Sequence, residues 1–203
     1  MMYKKYVSKV KQDVVIIFPG EMYVSKSGEV ISTVLGSCIS VCLFDKVNKV
    51  GGMNHFMLPY NPHKEPIRIK LSDTLQPDDF SNRILRYGIY AMEVLIATMQ
   101  KNGAERKNLT AKIFGGGNVL CITTTTLNVG QRNIEFIDAF LKSEKIPVIR
   151  KSTGENYGRR IYFLTSRNSI FLKRIGADQV VPEEQKFLDR LSKDKQKGEI
   201  FIF

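Results

Sequence analysis

Apolar residues in this chain fall mostly in short runs cut by turn-forming residues. Residues 14–18, 22–25 and 30–34 read as strands separated by Pro19-Gly20 and Ser27-Gly28, dipeptides that break extended structure. Over residues 38–44 the side chains alternate. Ile39, Val41 and Leu43 share one face, and Cys38, Ser40, Cys42 and Phe44 share the other. A period of two is that of a strand, and two largely apolar faces predict burial on both sides. Residues 45–49 form a polar turn. Residues 50–58 then return with Met53, His55 and Met57 facing one way, which completes a predicted hairpin.

Helical spacing emerges at two places. Over residues 78–101, Leu85, Ile89, Met92, Leu95, Ile96 and Met99 recur along one face, and Gly103 supplies a stop. A second helix is predicted over 131–144, with Ile134, Ile137 and Phe140 or Leu141 inward. Further strands are predicted at 109–114, running into Gly115-Gly116-Gly117, and at 148–151, 159–165 and 169–175. Residues 60–76, proline-bearing and mixed in charge, read as an exposed connection. Beyond Pro182 the chain turns acidic and then lysine-rich, with Phe187, Leu188 and Leu191 on one helical stripe and an apolar end at 199–203. The apolar face of the helix predicted over 78–101 must cover a sheet.

With 203 residues, 43% hydrophobic and 25% charged, the chain can bury a core, which excludes disorder and collagen. No apolar run approaches the roughly 20 residues that span a bilayer, and residues 1–11 lack the features of a signal peptide. A cytoplasmic protein without membrane insertion is expected. The excess of 31 Lys and Arg over 20 Asp and Glu gives +11, which favours encounter with acidic partners. No nucleic-acid recognition motif accompanies that charge, so nucleic acid is not expected as a partner. Three cysteines, Cys38, Cys42 and Cys121, are too few for a disulfide scaffold. With only His55 and His63 beside them, a structural metal site lacks ligands. The glycine run at 115–117 matches no phosphate-binding pattern and is better explained by a close backbone approach or a tight strand exit.

The chemistry concentrates at Cys38. It follows Leu35-Gly36-Ser37 at the start of a strand, and the hairpin brings His55 on the return strand near it. A neutral thiol becomes a nucleophile when an imidazole can take its proton, and the imidazole needs a polar group to hold it. Ser32 and Thr33 both offer hydroxyls upstream, and the backbone amides of Ser37 and Cys38 could bind an oxyanion. The competing reading is a basic, non-enzymatic module that captures an acidic protein, with Cys38 merely a buried apolar residue.

The text Thr33-Val-Leu-Gly-Ser-Cys38, followed by His55 within Gly51-Gly-Met-Asn-His-Phe-Met-Leu-Pro59, resembles the CheD family of chemoreceptor glutamine deamidases. The resemblance continues through Ala111-Lys-Ile-Phe-Gly-Gly-Gly117, Asn128-Val-Gly-Gln-Arg-Asn133 and Thr153-Gly-Glu-Asn-Tyr-Gly-Arg159. It implies a single layered α/β sandwich with mixed β-sheets, expected over residues 1–181, while the change of composition after Pro182 marks 182–203 as a charged helical extension and apolar tail. It further implies a cofactor-independent cysteine hydrolase that converts glutamine to glutamate on the cytoplasmic helices of chemotaxis receptors, with a CheC-type phosphatase as a partner. Its nucleophile falls on Cys38, its base on His55 and its hydroxyl on Ser32, with the neighbouring Thr33 as the alternative.

Overall fold

A computed structural model describes residues 3–8, 12–59, 87–119, 129–176 and 178–180. Expectations for residues 60–76, the first part of the predicted helix at 78–86, His63, Cys121 and the extension at 182–203 lie outside them.

Among the described residues, ten strands form two five-stranded sheets. The strands are β1 (Tyr3–Val7), β2 (Gln12–Ile16), β3 (Glu21–Ser25), β4 (Val30–Leu35), β5 (Ile39–Asp45), β6 (Val50–His55), β7 (Leu109–Gly115), β8 (Val148–Thr153), β9 (Gly158–Leu164) and β10 (Ser169–Ile175). One sheet runs β1-β2-β4-β9-β10 and the other β3-β6-β5-β7-β8. Both are mixed: β2 pairs parallel with β4, and β7 parallel with β8, while the other pairs are antiparallel. A parallel pair needs a crossover, and helix α2 (Val129–Ser143) lies between β7 and β8 in the chain. Helix α1 (Gly88–Lys101) follows the hairpin.

The alternation in the sequence builds three layers. Ile39, Val41 and Leu43 of β5 pack with Met92, Leu95 and Met99 of α1 and with Ile137 and Leu141 of α2. The opposite face of the strand, with Cys38, Cys42 and Phe44, meets Ile31, Leu35, Ile161 and Phe163 of the facing sheet. Every residue of β5 is buried, as its two apolar faces predict, because the strand is central in its sheet and covered on both sides. Its turn is tied by Asp45 Oδ1, which accepts the Val47 and Asn48 N–H groups at 2.8 and 2.9 Å. The architecture is thus the α/β sandwich with mixed sheets that the sequence implied.

One strand was not expected. β1 carries exposed Lys4, Lys5 and Tyr6 at the edge of its sheet, where lysines blunt edge-to-edge pairing, so its sequence lacks the apolar alternation of an interior strand. No helix among the described residues is long and apolar enough to cross a membrane.

Candidate active site

The hairpin of β5 and β6 sets the positions of Cys38 and His55. The strands pair from Asp45↔Val50 to Cys42↔Met53. They pair again at Ile39↔Phe56, which exchange backbone hydrogen bonds of 3.0 and 2.9 Å. In between, Asn54 intervenes: its Oδ1 accepts the Val41 N–H at 3.0 Å and its Nδ2 donates to Ala91 O at 3.2 Å. The offset is the same on both sides of this opening, so His55 stands opposite Ser40 and Met57 opposite Cys38. Cys38 and His55 are therefore diagonal neighbours on the face turned toward the other sheet. Such diagonals are roughly 7–8 Å apart, and closer at Cβ. Both residues are buried, with 4% and 2% of their surface exposed.

The facing sheet contributes a hydroxyl. Thr33 Oγ1 of β4 lies 2.8 Å from His55 Nδ1 and donates to Ile17 O, also at 2.8 Å. A threonine hydroxyl has one proton. With that proton on Ile17 O, Oγ1 accepts from Nδ1–H, which fixes the tautomer and leaves the lone pair on Nε2. Nε2 is buried and has no hydrogen-bond partner among the described residues. Burial lowers the His55 pKa to about 3, so the ring is neutral at physiological pH.

Of the two candidate hydroxyls, then, the ring meets Thr33 and not Ser32. The Ser32 hydroxyl donates instead to Ile161 O at 2.8 Å. The reason is the period of a strand: Ile31 and Leu35 face the inter-sheet core with Thr33, whereas Val30 belongs to the outer cluster on the side of Ser32. Adjacent hydroxyls in a strand always point apart, and the sequence did not fix which one points inward.

The glycine run makes the close approach that its composition suggested. Gly115 and Gly116 have φ of +109° and +66°, which favour glycine, and a Cβ at Gly115 would collide with the Cys38 carbonyl oxygen. The Gly116 and Gly117 N–H groups donate to Cys38 O and Gly36 O, both at 2.8 Å. Behind Gly117 lies Arg159, fully buried, whose Nη1 donates to Tyr157 O at 3.1 Å and whose guanidinium stacks on the Tyr157 ring.

Asn133 of α2 ends one of the blocks that carry the family resemblance, but the sequence assigns it no role. Its Nδ2 donates to Ser37 O at 3.0 Å and to Met57 O at 2.8 Å. The available signal was an amide one helical turn before Ile137, on the buried stripe of an amphipathic helix, where an apolar side chain is the norm. Ser40, directly opposite His55, was likewise placed only by its face; its hydroxyl is buried without a partner among the described residues.

A cleft of about 390 Å³ reaches His55 and Thr33 from the first sheet, with Ser32, Phe18, Arg160 and Tyr162 also in its wall. Among its described lining residues Lys5 and Arg160 are the cations and no carboxylate appears. Cys42 is buried on the same face as Cys38, and burial pushes its thiol pKa up. Among the described residues no cluster of three or more His, Cys, Asp or Glu could hold a metal ion.

Comparison with known proteins bears on this arrangement. The family described as CheD, chemotactic sensory transduction, matches residues 57–174. A protein of Methylobacillus flagellatus named "Probable chemoreceptor glutamine deamidase CheD" is 40% identical over 193 residues, covering 92% of this chain and 88% of its own. Its namesake in Saccharophagus degradans is 38% identical over 204 residues, covering 99% of this chain and 89% of its own. A third, from Thiobacillus denitrificans, is 40% identical over 190 residues, covering 92% and 88%. At that identity, sustained over nearly the whole length of both chains, this protein belongs to the CheD family.

Proposed function

We propose that this protein is a cysteine hydrolase that deamidates glutamine side chains on the cytoplasmic helices of chemotaxis receptors. The observation that carries the reading is the Thr33–His55 hydrogen bond, because it leaves a neutral imidazole with its Nε2 lone pair unengaged on the face that Cys38 shares. Family membership and the names of the relatives supply the substrate.

In this mechanism His55 Nε2 takes the Cys38 Sγ proton as sulfur attacks the glutamine Cδ. Burial disfavours a charged ring, but a thiolate formed beside it favours the imidazolium and offsets that cost. The carbonyl oxygen becomes an oxyanion held by backbone N–H of the 37–38 turn. The tetrahedral intermediate collapses, the C–N bond breaks, and the imidazolium returns its proton to the departing nitrogen, releasing ammonia. A water then adds to the thioester with His55 again as base, the C–S bond breaks, and glutamate leaves with the thiol restored. Thr33 holds the ring tautomer throughout. No cofactor enters any step.

Incubation with a receptor cytoplasmic fragment, read by peptide mass, tests this. The expected result is conversion of specific glutamines to glutamate with stoichiometric ammonia. Tight binding with no mass change would instead identify a basic interaction module. Incorporation of an added amine at the same glutamines would identify a transamidase. The reading includes a CheC-type phosphatase as regulatory partner, checked by co-elution of the two proteins and by a change in deamidation rate.

A further inference from the structure

We infer that Asn133 is a positioning residue that aims the Cys38 backbone N–H at the oxyanion. This rests on the deamidase reading above and assigns a part to a residue which that reading leaves unused.

Three consecutive carbonyls define the turn before the nucleophile. Gly36 O accepts from Gly117 N and Cys38 O accepts from Gly116 N, while Ser37 O between them accepts from Asn133 Nδ2. Two of these tethers are backbone, and only the middle one is a side chain. In a trans peptide the carbonyl and the following N–H point in opposite directions, and there are no cis peptide bonds among the described residues. Holding Ser37 O toward α2 therefore holds the Cys38 N–H away from α2.

The sheet that carries Cys38 lies between α2 and the other sheet, so away from α2 is toward the inter-sheet side that His55 and Cys38 share. A nucleophile's own N–H is well situated to donate to the oxyanion formed on attack. The second Asn133 tether, to Met57 O, fixes the residue directly opposite Cys38. The amide thus clamps both strands where the pairing ends.

The amide's orientation is set by chemistry. Both Nδ2 protons are used, and turning the group over would set Oδ1 against two carbonyl oxygens. Oδ1 has no hydrogen-bond partner among the described residues although Asn133 is fully buried. An unsatisfied buried acceptor opposes folding, so what this side chain contributes lies in its two donors. A residue kept only to pack α2 against the sheet would be apolar.

The test compares two reactions of the same sulfur. Deamidation develops an oxyanion, whereas alkylation by iodoacetamide displaces iodide and develops none. Asn133→Ala should lower kcat on the receptor fragment by about 10²- to 10³-fold, the cost of losing one oxyanion donor. KM and the rate of Cys38 alkylation should stay near wild type. Asn133→Asp, of the same shape but without donors, should behave alike. Asn133→Ser, which keeps one donor, reads the same ratio if the alanine variant does not fold. An unchanged kcat overturns the inference. So does a parallel fall in kcat and alkylation, which would mark a general structural role. A wild type that converts no glutamine defeats the deamidase reading and this inference together, whereas an active wild type matched by Asn133→Ala defeats only the inference.

Discussion

Cys38 and Cys42 lie on the same face of the same hairpin, and by register His55 is diagonal to both. Burial does not separate them, since 4% of one and 1% of the other is exposed. What differs is the backbone around them. Cys42 sits inside the ladder, paired with Met53 on one side and Lys112 on the other, so its backbone amide is taken up in the sheet. Cys38 lies just before β5, in a turn whose carbonyls are tethered by Gly116, Gly117 and Asn133. A thiol in a ladder is a small apolar side chain. A thiol at a fixed turn, near a neutral imidazole, has the parts that acyl transfer requires.

The largest expected effect breaks this comparison outright. Cys38→Ala should reduce receptor deamidation by at least about 10⁴-fold. Cys42→Ala should leave kcat at the wild-type level and cost on the order of 1 kcal/mol of stability through the small void it creates. Alkylation followed by peptide mapping should label Cys38 ahead of Cys42. Loss of activity in a folded Cys42→Ala, or preferential labelling of Cys42, would mean that the ring serves the other thiol.

The proposed base comes next. His55→Gln should lower kcat by about 10²- to 10⁴-fold, and it should also change how stability depends on pH. The unfolded chain protonates this histidine below about 6.5, while the folded ring resists protonation down to about 3. Between those values the unfolded state binds more protons, so the contribution of His55 to stability is complete above the window and is lost as pH falls through it. Urea unfolding across this range should show wild type weakening toward acid more steeply than His55→Gln. Equal slopes would show that the ring is not buried neutral.

Much of this was readable beforehand, for a physical reason. Period two along residues 38–44 and 50–58 fixed which side chains share a face, so the placing of Cys38 and His55 as diagonal neighbours on one face followed from a single hairpin. The stripe from Ile89 to Met99 likewise predicted α1 and the sheet it covers. The pairing between sheets was not readable. Which of Ser32 and Thr33 points inward depends on how β4 sits between β2 and β9, a long-range register that no local pattern encodes. Asn133 was hidden for a related reason: its partners, Ser37 and Met57, are distant in sequence, and only the packing of α2 on the hairpin brings them to it.

The smallest effects sharpen the comparison within β4. Thr33→Val keeps the shape of the side chain but strands Ile17 O without its donor and the His55 Nδ1–H without its acceptor. The ring can then turn or change tautomer, and kcat should fall on the order of tenfold to a hundredfold, as expected when a base is present but misaligned. Thr33→Ser keeps the hydroxyl and should recover most of that loss. Ser32→Ala removes only a bond to Ile161 O, which costs about 1 kcal/mol, and should leave kcat and its pH profile unchanged. The two valine-and-alanine variants are adjacent in sequence yet act on opposite faces, so their effects on kcat should be independent in the double variant. A larger loss from Ser32→Ala than from Thr33→Val would transfer the orienting role to the other face of the strand, and the ring would then have to be held by a group other than the hydroxyl now 2.8 Å from its Nδ1.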